Sequence, residues 1–315
     1  MILPTRLGAR IKRVAHLLGS QPTTFLDRLS AHMTWWRWLI LKRPVRRRLG
    51  DVLFEFDFSL SRYVKNMNFG WYQEEVVEAL RRFLKPGDVF LDVGANIGYL
   101  SALAAGLVGP GGQVHCFEPA PPYFKWLQRL VQMNPRYPIA AHSFALGEHE
   151  GRARLMLHQE NMLLNAICPD NHDSETAIDV PIRRLDAYLE EHISKPIALI
   201  KIDVEGFEFP VLKGLHRYFD TTPSRPVIIC EIFSCVYTPD GLEELVAFLR
   251  KYGYTQAYDV KDFEHPVDIR RGWRGGDVVF IADALEKPPS PVSAEHGSAS
   301  ASLALNRRVE GDCNS

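Results

Sequence analysis

The segment Asp92-Val-Gly-Ala-Asn-Ile-Gly98 sets an acid, two glycines and an asparagine between an apolar run, Val89 to Val93, and a stretch with apolar residues at helical spacing through Tyr99, Leu100, Leu103 and Leu107. The pattern reads as strand, tight turn and helix. Glycines in such a turn let backbone N–H groups come close to a ligand, and Glu118, which ends the next apolar run, stands where a carboxylate takes the two hydroxyls of a ribose. The turn lacks the middle glycine of G-x-G-x-x-G that seats a pyrophosphate on a helix N-terminus, and no Gly-Lys-Ser/Thr follows to form a P-loop. Asp92 puts an anion there instead. It repels a pyrophosphate and attracts the ammonium and sulfonium charges of S-adenosylmethionine.

A second group of acids closes other apolar runs: Asp203 after Ile197-Ala-Leu-Ile-Lys-Ile, and Glu231 after Pro226-Val-Ile-Ile-Cys. Open parallel sheets bind ligands outside the carboxyl ends of their strands, so Asp92, Asp203 and Glu231 are expected to gather at one edge. Lys201 lies two residues before Asp203 and shares its strand face, where a buried ammonium needs a carboxylate. The pair reads equally as a structural ion pair or as part of a catalytic centre. Glu205, beside Gly206 and ahead of a helix with Glu208 at its start, is a second candidate base for a hydroxyl acceptor that loses its proton as a bond forms. Asp203, Glu205 and Lys201 are thus the catalytic candidates, with the choice of base open. No His or Cys spacing marks a metal site.

These residues need a sheet to hold them. A chain of 315 residues with 46% hydrophobic content can bury one substantial core, and alternating strand-like and helix-like segments argue for a single α/β domain with appendages. Strands are expected at 89–93, 114–118, 139–145, 197–203 and 226–231. Helices are expected at 73–83, 96–108, 122–132, 207–218 and 240–251, and Thr255 to Val260 with Asp277 to Ile281 form a closing hairpin. Segments 152–157 and 177–183 alternate like another hairpin, joined by a polar stretch, Gln159 to Thr176, that resembles a mobile loop.

The formal charge of −1 hides an asymmetry. Arg6, Arg10, Lys12, Arg13, Arg28, Arg37, Lys42, Arg43, Arg46, Arg47 and Arg48 face a single acid, Asp27, in the first fifty residues, so the remainder is acidic and nucleic acid is not an expected partner. Residues 1–50 read as a basic helical segment, 51–285 as the catalytic domain and 286–315, rich in Pro, Ser and Ala, as a disordered tail. The run Trp35-Trp-Arg-Trp-Leu-Ile-Leu41 is too short to span a bilayer. With the basic cluster after it, residues 34–48 suit either packing on the domain or peripheral contact with a membrane. Five cysteines without C-x-x-C spacing, and no signal-peptide pattern, point to the cytoplasm.

Asp92-Val-Gly-Ala-Asn-Ile-Gly98, Phe117-Glu-Pro119, Ala145-Leu-Gly147, Lys201-Ile-Asp-Val-Glu-Gly-Phe-Glu208 and Val211-Leu-Lys-Gly214 together resemble the FkbM family of S-adenosylmethionine-dependent methyltransferases, over roughly residues 85 to 235. The resemblance implies a class I methyltransferase (Rossmann-like) fold: a mostly parallel seven-stranded sheet with helices on both faces. It implies methyl transfer to oxygen, on a small molecule or glycan hydroxyl of sugar or polyketide type. Position by position it implies Asp92, Gly94, Asn96 and Gly98 around the methionine part, Glu118 on the ribose and Ala145 near the adenine. Two rival readings are a nicotinamide-dependent dehydrogenase, disfavoured by the missing middle glycine, and a lipid- or RNA-associated binding protein on an inactive methyltransferase scaffold.

Overall fold

The computed structural model describes residues 22–158, 165–168 and 176–283. The expected tail from 286, residues 1–21 of the first helical stretch and parts of the polar loop at 159–176 lie outside these residues.

The chain begins with a helix, α1 (Pro22–Leu41), and a hairpin of β1 (Val45–Leu49) and β2 (Val52–Phe56). Helices α2 (Arg62–Phe69) and α3 (Glu74–Phe83) lead into the expected succession of β3 (Val89–Val93), α4 (Tyr99–Val108), β4 (Gln113–Phe117), α5 (Pro121–Met133) and β5 (Ile139–His142). After β6 (Ala145–Gly147), β7 (Gly151–Met156), β8 (Ala166–Cys168) and β9 (Ala177–Arg184) come α6 (Leu185–His192), β10 (Ile197–Ile202), α7 (Glu208–Lys213), α8 (His216–Thr221), β11 (Val227–Phe233) and α9 (Pro239–Lys251). The chain then adds β12 (Gln256–Asp259), β13 (Asp262–Pro266) and β14 (Gly275–Ile281).

The main sheet runs β13-β12-β14-β11-β10-β3-β4-β5, with β11 to β5 parallel and the other three antiparallel. It therefore has eight strands where seven were expected. The extra one, β13, is a solvent-facing edge strand ending in Pro266, so it carries no alternating apolar signal and needs no donor at its last position. The expected strand 139–145 divides: residues 139–142 stay in the main sheet, while 145–147 join a second sheet ordered β6-β9-β7-β8. The expected helix 207–218 also divides, because the Gly214 carbonyl accepts from the Asp186 amide (2.8 Å) and so turns out of a helical ladder.

One face of the main sheet packs Phe90, Leu199, Ile229 and Val279 with α3, α4 and the β1–β2 hairpin. The opposite face packs Leu91, Ile200, Ile228 and Phe280 under α6 to α9. Burial on both faces makes the central strands nearly continuous apolar runs. Cys116 and Cys230 are free thiols buried within them.

The hairpin carries the backbone straight across residue 50, so the basic segment is continuous with the domain. Its arginines are largely committed: Arg46 pairs with Glu55 (3.3 Å), Arg47 donates to Asn68, and Arg48 donates to the Asp51 carbonyl (2.7 Å). Trp35 and Trp38 turn inward against Phe58, with ring centroids at 4.9 and 5.5 Å. Within 34–48, Thr34, Trp35, Trp38 and Val45 turn inward, whereas Trp36, Arg37 and residues 40–43 are exposed. Among the described residues no helix is long and apolar enough to cross a membrane.

Candidate active site

Strand alternation puts Asp92, Lys201, Glu231 and Asp277 on the same sheet face as Phe90, Leu199, Ile229 and Val279. Lys201 is paired in register with Asp92 on one side and Ile229 on the other, and Glu231 with Asp277. Lys201 is 1% exposed, and its ammonium donates to Asp203 Oδ2 at 2.6 Å. Burial alone would lower its pKa, but Asp203, Asp277, Asp92 and Glu231 outweigh that and hold it above the ordinary value. Burial also works against the Asp203 carboxylate, yet Lys201 and hydrogen bonds from Glu231 and Gln73 keep its pKa low. Glu231 is driven the other way by burial and by the charge of Asp203, so it keeps its proton and shares it with Asp203. Burial, against the pull of Lys201, raises Asp92, which accepts from the Ser101 hydroxyl of α4.

The glycine turn is tied to the end of the neighbouring strand. The amides of Gly94 and Ala95 both donate to the Phe117 carbonyl (3.0 Å each), and the Asn96 amide donates to Glu118 Oε2 (2.9 Å). Glu118 Oε1 accepts from the Ala120 amide (2.8 Å), and burial pushes this carboxyl up to about 7. The first turn amides therefore hold the corner together rather than pointing at a ligand. Asn96 is in the left-handed region (φ 52°) and its Oδ1 accepts from the Ile97 amide (2.8 Å). Gly94 (φ 80°) has no room for a side chain, since a Cβ would sit 1.8 Å from the Asp203 carbonyl oxygen. Gly98 (φ 83°) faces α5 instead of the cleft, a Cβ there meeting Leu127 at 2.6 Å.

Beyond β10 the chain turns through Val204-Glu-Gly206, with Glu205 itself in the left-handed region (φ 55°), a conformation costing about 1–2 kcal/mol for a residue with a side chain. Glu208 enforces the turn. Its Oε1 accepts from the amides of Gly206 (2.9 Å) and Val204 (3.3 Å), and its Oε2 from the Tyr237 hydroxyl (2.6 Å). Glu205 has no hydrogen-bond or ion-pair partner among the described residues. Burial, then the charges of Asp203 and Glu208, push its carboxyl up to about 8. Carboxyl oxygens of Asp203, Glu205 and Glu231 lie within 4.8 Å of one another.

The cleft beside Asp203 is lined by Asp92, Gly94, Ala95, Asn96, Ile97, Tyr99, Leu100, Lys201 and Asp203, and closed by Met67, Tyr72 and Gln73. Gln73 (φ 47°) donates to Asp203 Oδ2 at 3.3 Å. About 20 Å³ is left open, room for one water. Of the sequence candidates, Asp92, Gly94, Asn96, Lys201 and Asp203 meet at the cleft, and Glu118 joins them through the Asn96 amide. Ala145 is buried with Ala120 and Ile182 in a separate apolar cluster, and Gly98 is a packing position. Sequence reasoning missed Asp277, which alternation along β14 could have placed. It also missed the closing residues Tyr72 and Gln73, for which no local signal exists. A roomier groove of about 240 Å³ between α9 and β12–β13 contains none of the strand-end acids.

Comparison with known proteins places this geometry. Residues 92–255 match the family model described as the Methyltransferase FkbM domain. The chain is 32% identical over 201 residues to the 31-O-demethyl-FK506 methyltransferase FkbM of Streptomyces tacrolimicus, covering 55% of this chain and 74% of that protein. It is 30% identical over 166 residues to Methyltransferase 1 of Beauveria bassiana (strain ARSEF 2860), covering 46% and 66%. Among solved structures, the FkbM methyltransferase from Methylobacillus flagellatus KT aligns with a TM-score of 0.40 at 17% identity, over 69% of this chain and 53% of that one. The chain belongs to the FkbM family of S-adenosylmethionine-dependent methyltransferases.

Proposed function

We propose that this protein methylates a hydroxyl of a small molecule or glycan, with Glu205 removing the hydroxyl proton. The observation that carries this reading is the contrast between two neighbouring carboxyls. Asp203 is engaged by Lys201, Gln73 and Glu231, whereas Glu205 is held in a strained turn with no partner and a pKa raised to about 8. A base poised near neutral pH combines a useful ionised fraction with a real pull on a proton. The relative at 32% identity carries an O-methylation in its name, which agrees.

The donor set suits S-adenosylmethionine, which when bound supplies a methyl group on a sulfonium. Asp92 lends negative charge to the wall that would face the methionine part, alongside Gly94 and Asn96. Glu118 keeps lone pairs beyond those used by the Asn96 and Ala120 amides, enough for ribose hydroxyls. Ala145, a small residue beside Ala120, would border the adenine. Admission requires Tyr72 and Gln73 to withdraw, because the cleft as closed has room for only a water. Lys201 already provides a cation among the carboxylates, so this reading needs no divalent metal, and transfer should persist in EDTA.

The test is transfer of labelled methyl from S-adenosylmethionine to a panel of sugar and polyketide hydroxyls by wild type and Glu205→Gln. Transfer by the first and its loss in the second, with affinity for S-adenosylhomocysteine unchanged, is the expected result. Methylation of amines alone would overturn the reading.

A further inference from the structure

We infer that the outer face of α1, together with Trp71 next to the residues that close the cleft, is a docking surface for an anionic lipid bilayer. The sequence suggested residues 34–48 for such contact, and the structure narrows it: Trp35 and Trp38 are packed inward and Arg46 to Arg48 are engaged within the fold, while Trp36, Arg37, Ile40, Lys42 and Arg43 stay exposed.

Leu29, Met33, Trp36 and Ile40 are 47%, 57%, 62% and 76% exposed. Their spacing of four, three and four residues puts them in one narrow stripe of a helix, opposite Ala31 and Thr34, which are buried. Isolated exposed apolar residues are ordinary, but an unbroken row of four large ones is the mark of a surface that meets something else.

Charge decides what. Arg37 borders the stripe, Arg28 lies on the helix flank, Lys42 and Arg43 follow the helix end, and among the described residues none of the four makes an ion pair. The one acid of α1, Asp27, points to Arg47 at 4.0 Å. A second copy packed through the same face would bring up the same four cations against a single acid, Asp27. Lipid phosphates answer the cations, and the upper acyl region takes the row of apolar side chains, the arrangement of a helix lying in the plane of a membrane.

The surface also leads to the active site. The His32 ring meets Phe69 edge-on at 4.9 Å, and Phe69 stacks on Trp71 at 4.9 Å. Trp71 is 57% exposed and immediately precedes Tyr72 and Gln73, which close the cleft. Docking through α1 therefore brings the closing segment to the headgroup region, where a hydroxyl on an amphiphile would be presented. The docking itself does not depend on the transfer reaction and is measured without an acceptor.

The experiment is co-sedimentation of the full chain with vesicles of phosphatidylcholine alone or mixed with phosphatidylglycerol, on wild type, Trp36→Ser/Ile40→Ser and Arg37→Glu/Lys42→Glu. Wild type should bind the anionic vesicles, release in high salt and bind neutral vesicles far less. The apolar pair should weaken binding about ten-fold or more, and the charge pair comparably, at about five-fold for each cation removed. Both variants change exposed side chains and should retain wild-type circular dichroism and affinity for S-adenosylhomocysteine. Three outcomes would overturn the inference: no binding of wild type to anionic vesicles, equal binding by both variants, or a wild-type dimer in sedimentation that Trp36→Ser/Ile40→Ser dissolves, which would give the face to a second copy.

Discussion

Glu205→Gln should make the protein more stable and nearly inactive. Glu205 keeps its proton to about pH 8 in the fold, against 4.5 for an ordinary glutamate. Below pH 4.5 both folded and unfolded chains are protonated, and the group is neutral in its effect. Between 4.5 and 8 the unfolded chain ionises while the fold does not, so stability falls as pH rises, reaching a cost of about 3 kcal/mol at pH 7. Partial exposure of the side chain reduces this to about 2 kcal/mol. Glutamine keeps the shape and the strained turn but cannot ionise. Urea unfolding should find the variant about 2 kcal/mol more stable at pH 7 and equal to wild type near pH 4.5. In the same protein, methyl transfer should drop by roughly 10²–10⁴, the range for losing a general base. Wild-type kcat/KM should rise with pH to an inflection near 8 that the variant lacks. A variant turning over at the wild-type rate at pH 8, or one no more stable at pH 7 than wild type, would refute the reasoning.

Gly94→Ala should abolish folding or cost about 4 kcal/mol or more, because its Cβ would strike the Asp203 backbone 1.8 Å away, whereas Gly98→Ala meets only the movable side chains of Leu127 and Leu130 and should cost about 1–2 kcal/mol by thermal melting. Asp203→Asn leaves Lys201 buried without its nearest carboxylate and should cost about 3 kcal/mol in urea unfolding, with slowed transfer as a secondary effect. Glu118 titrates at about 7, so calorimetric affinity for S-adenosylhomocysteine should tighten from pH 6 to pH 8 as the carboxylate form that accepts both ribose hydroxyls fills.

The legible parts of this molecule were those whose contacts are local. The turn from Asp92 to Gly98 shows its strand, glycines and helix within one short stretch, and the Lys201–Asp203 pair follows from a period of two along a single strand. Which side of α1 faces inward was not legible, because tryptophans occur on both: Trp35 and Trp38 meet Phe58 while Trp36 is exposed. The closing segment was hidden for another reason. Gln73 reaches Asp203 across 130 positions of sequence, and its left-handed backbone carries no glycine to announce it. Glu208 looked like a helix-start acid favoured by the dipole, and its three hydrogen bonds to the turn and to Tyr237 depend on tertiary packing. β13 escaped because a polar edge strand needs no apolar alternation.

The division of labour between the acid ending β4 and the acid in the turn after β10 is the core of the account. Calorimetric titration with S-adenosylhomocysteine of wild type, Glu118→Ala and Glu205→Gln, each with its melting temperature recorded, measures it directly. Unchanged affinity in Glu205→Gln and a loss of about ten-fold or more in a folded Glu118→Ala are expected from one to two charge-assisted hydrogen bonds. Equal weakening by both substitutions, or none by Glu118→Ala, would contradict it.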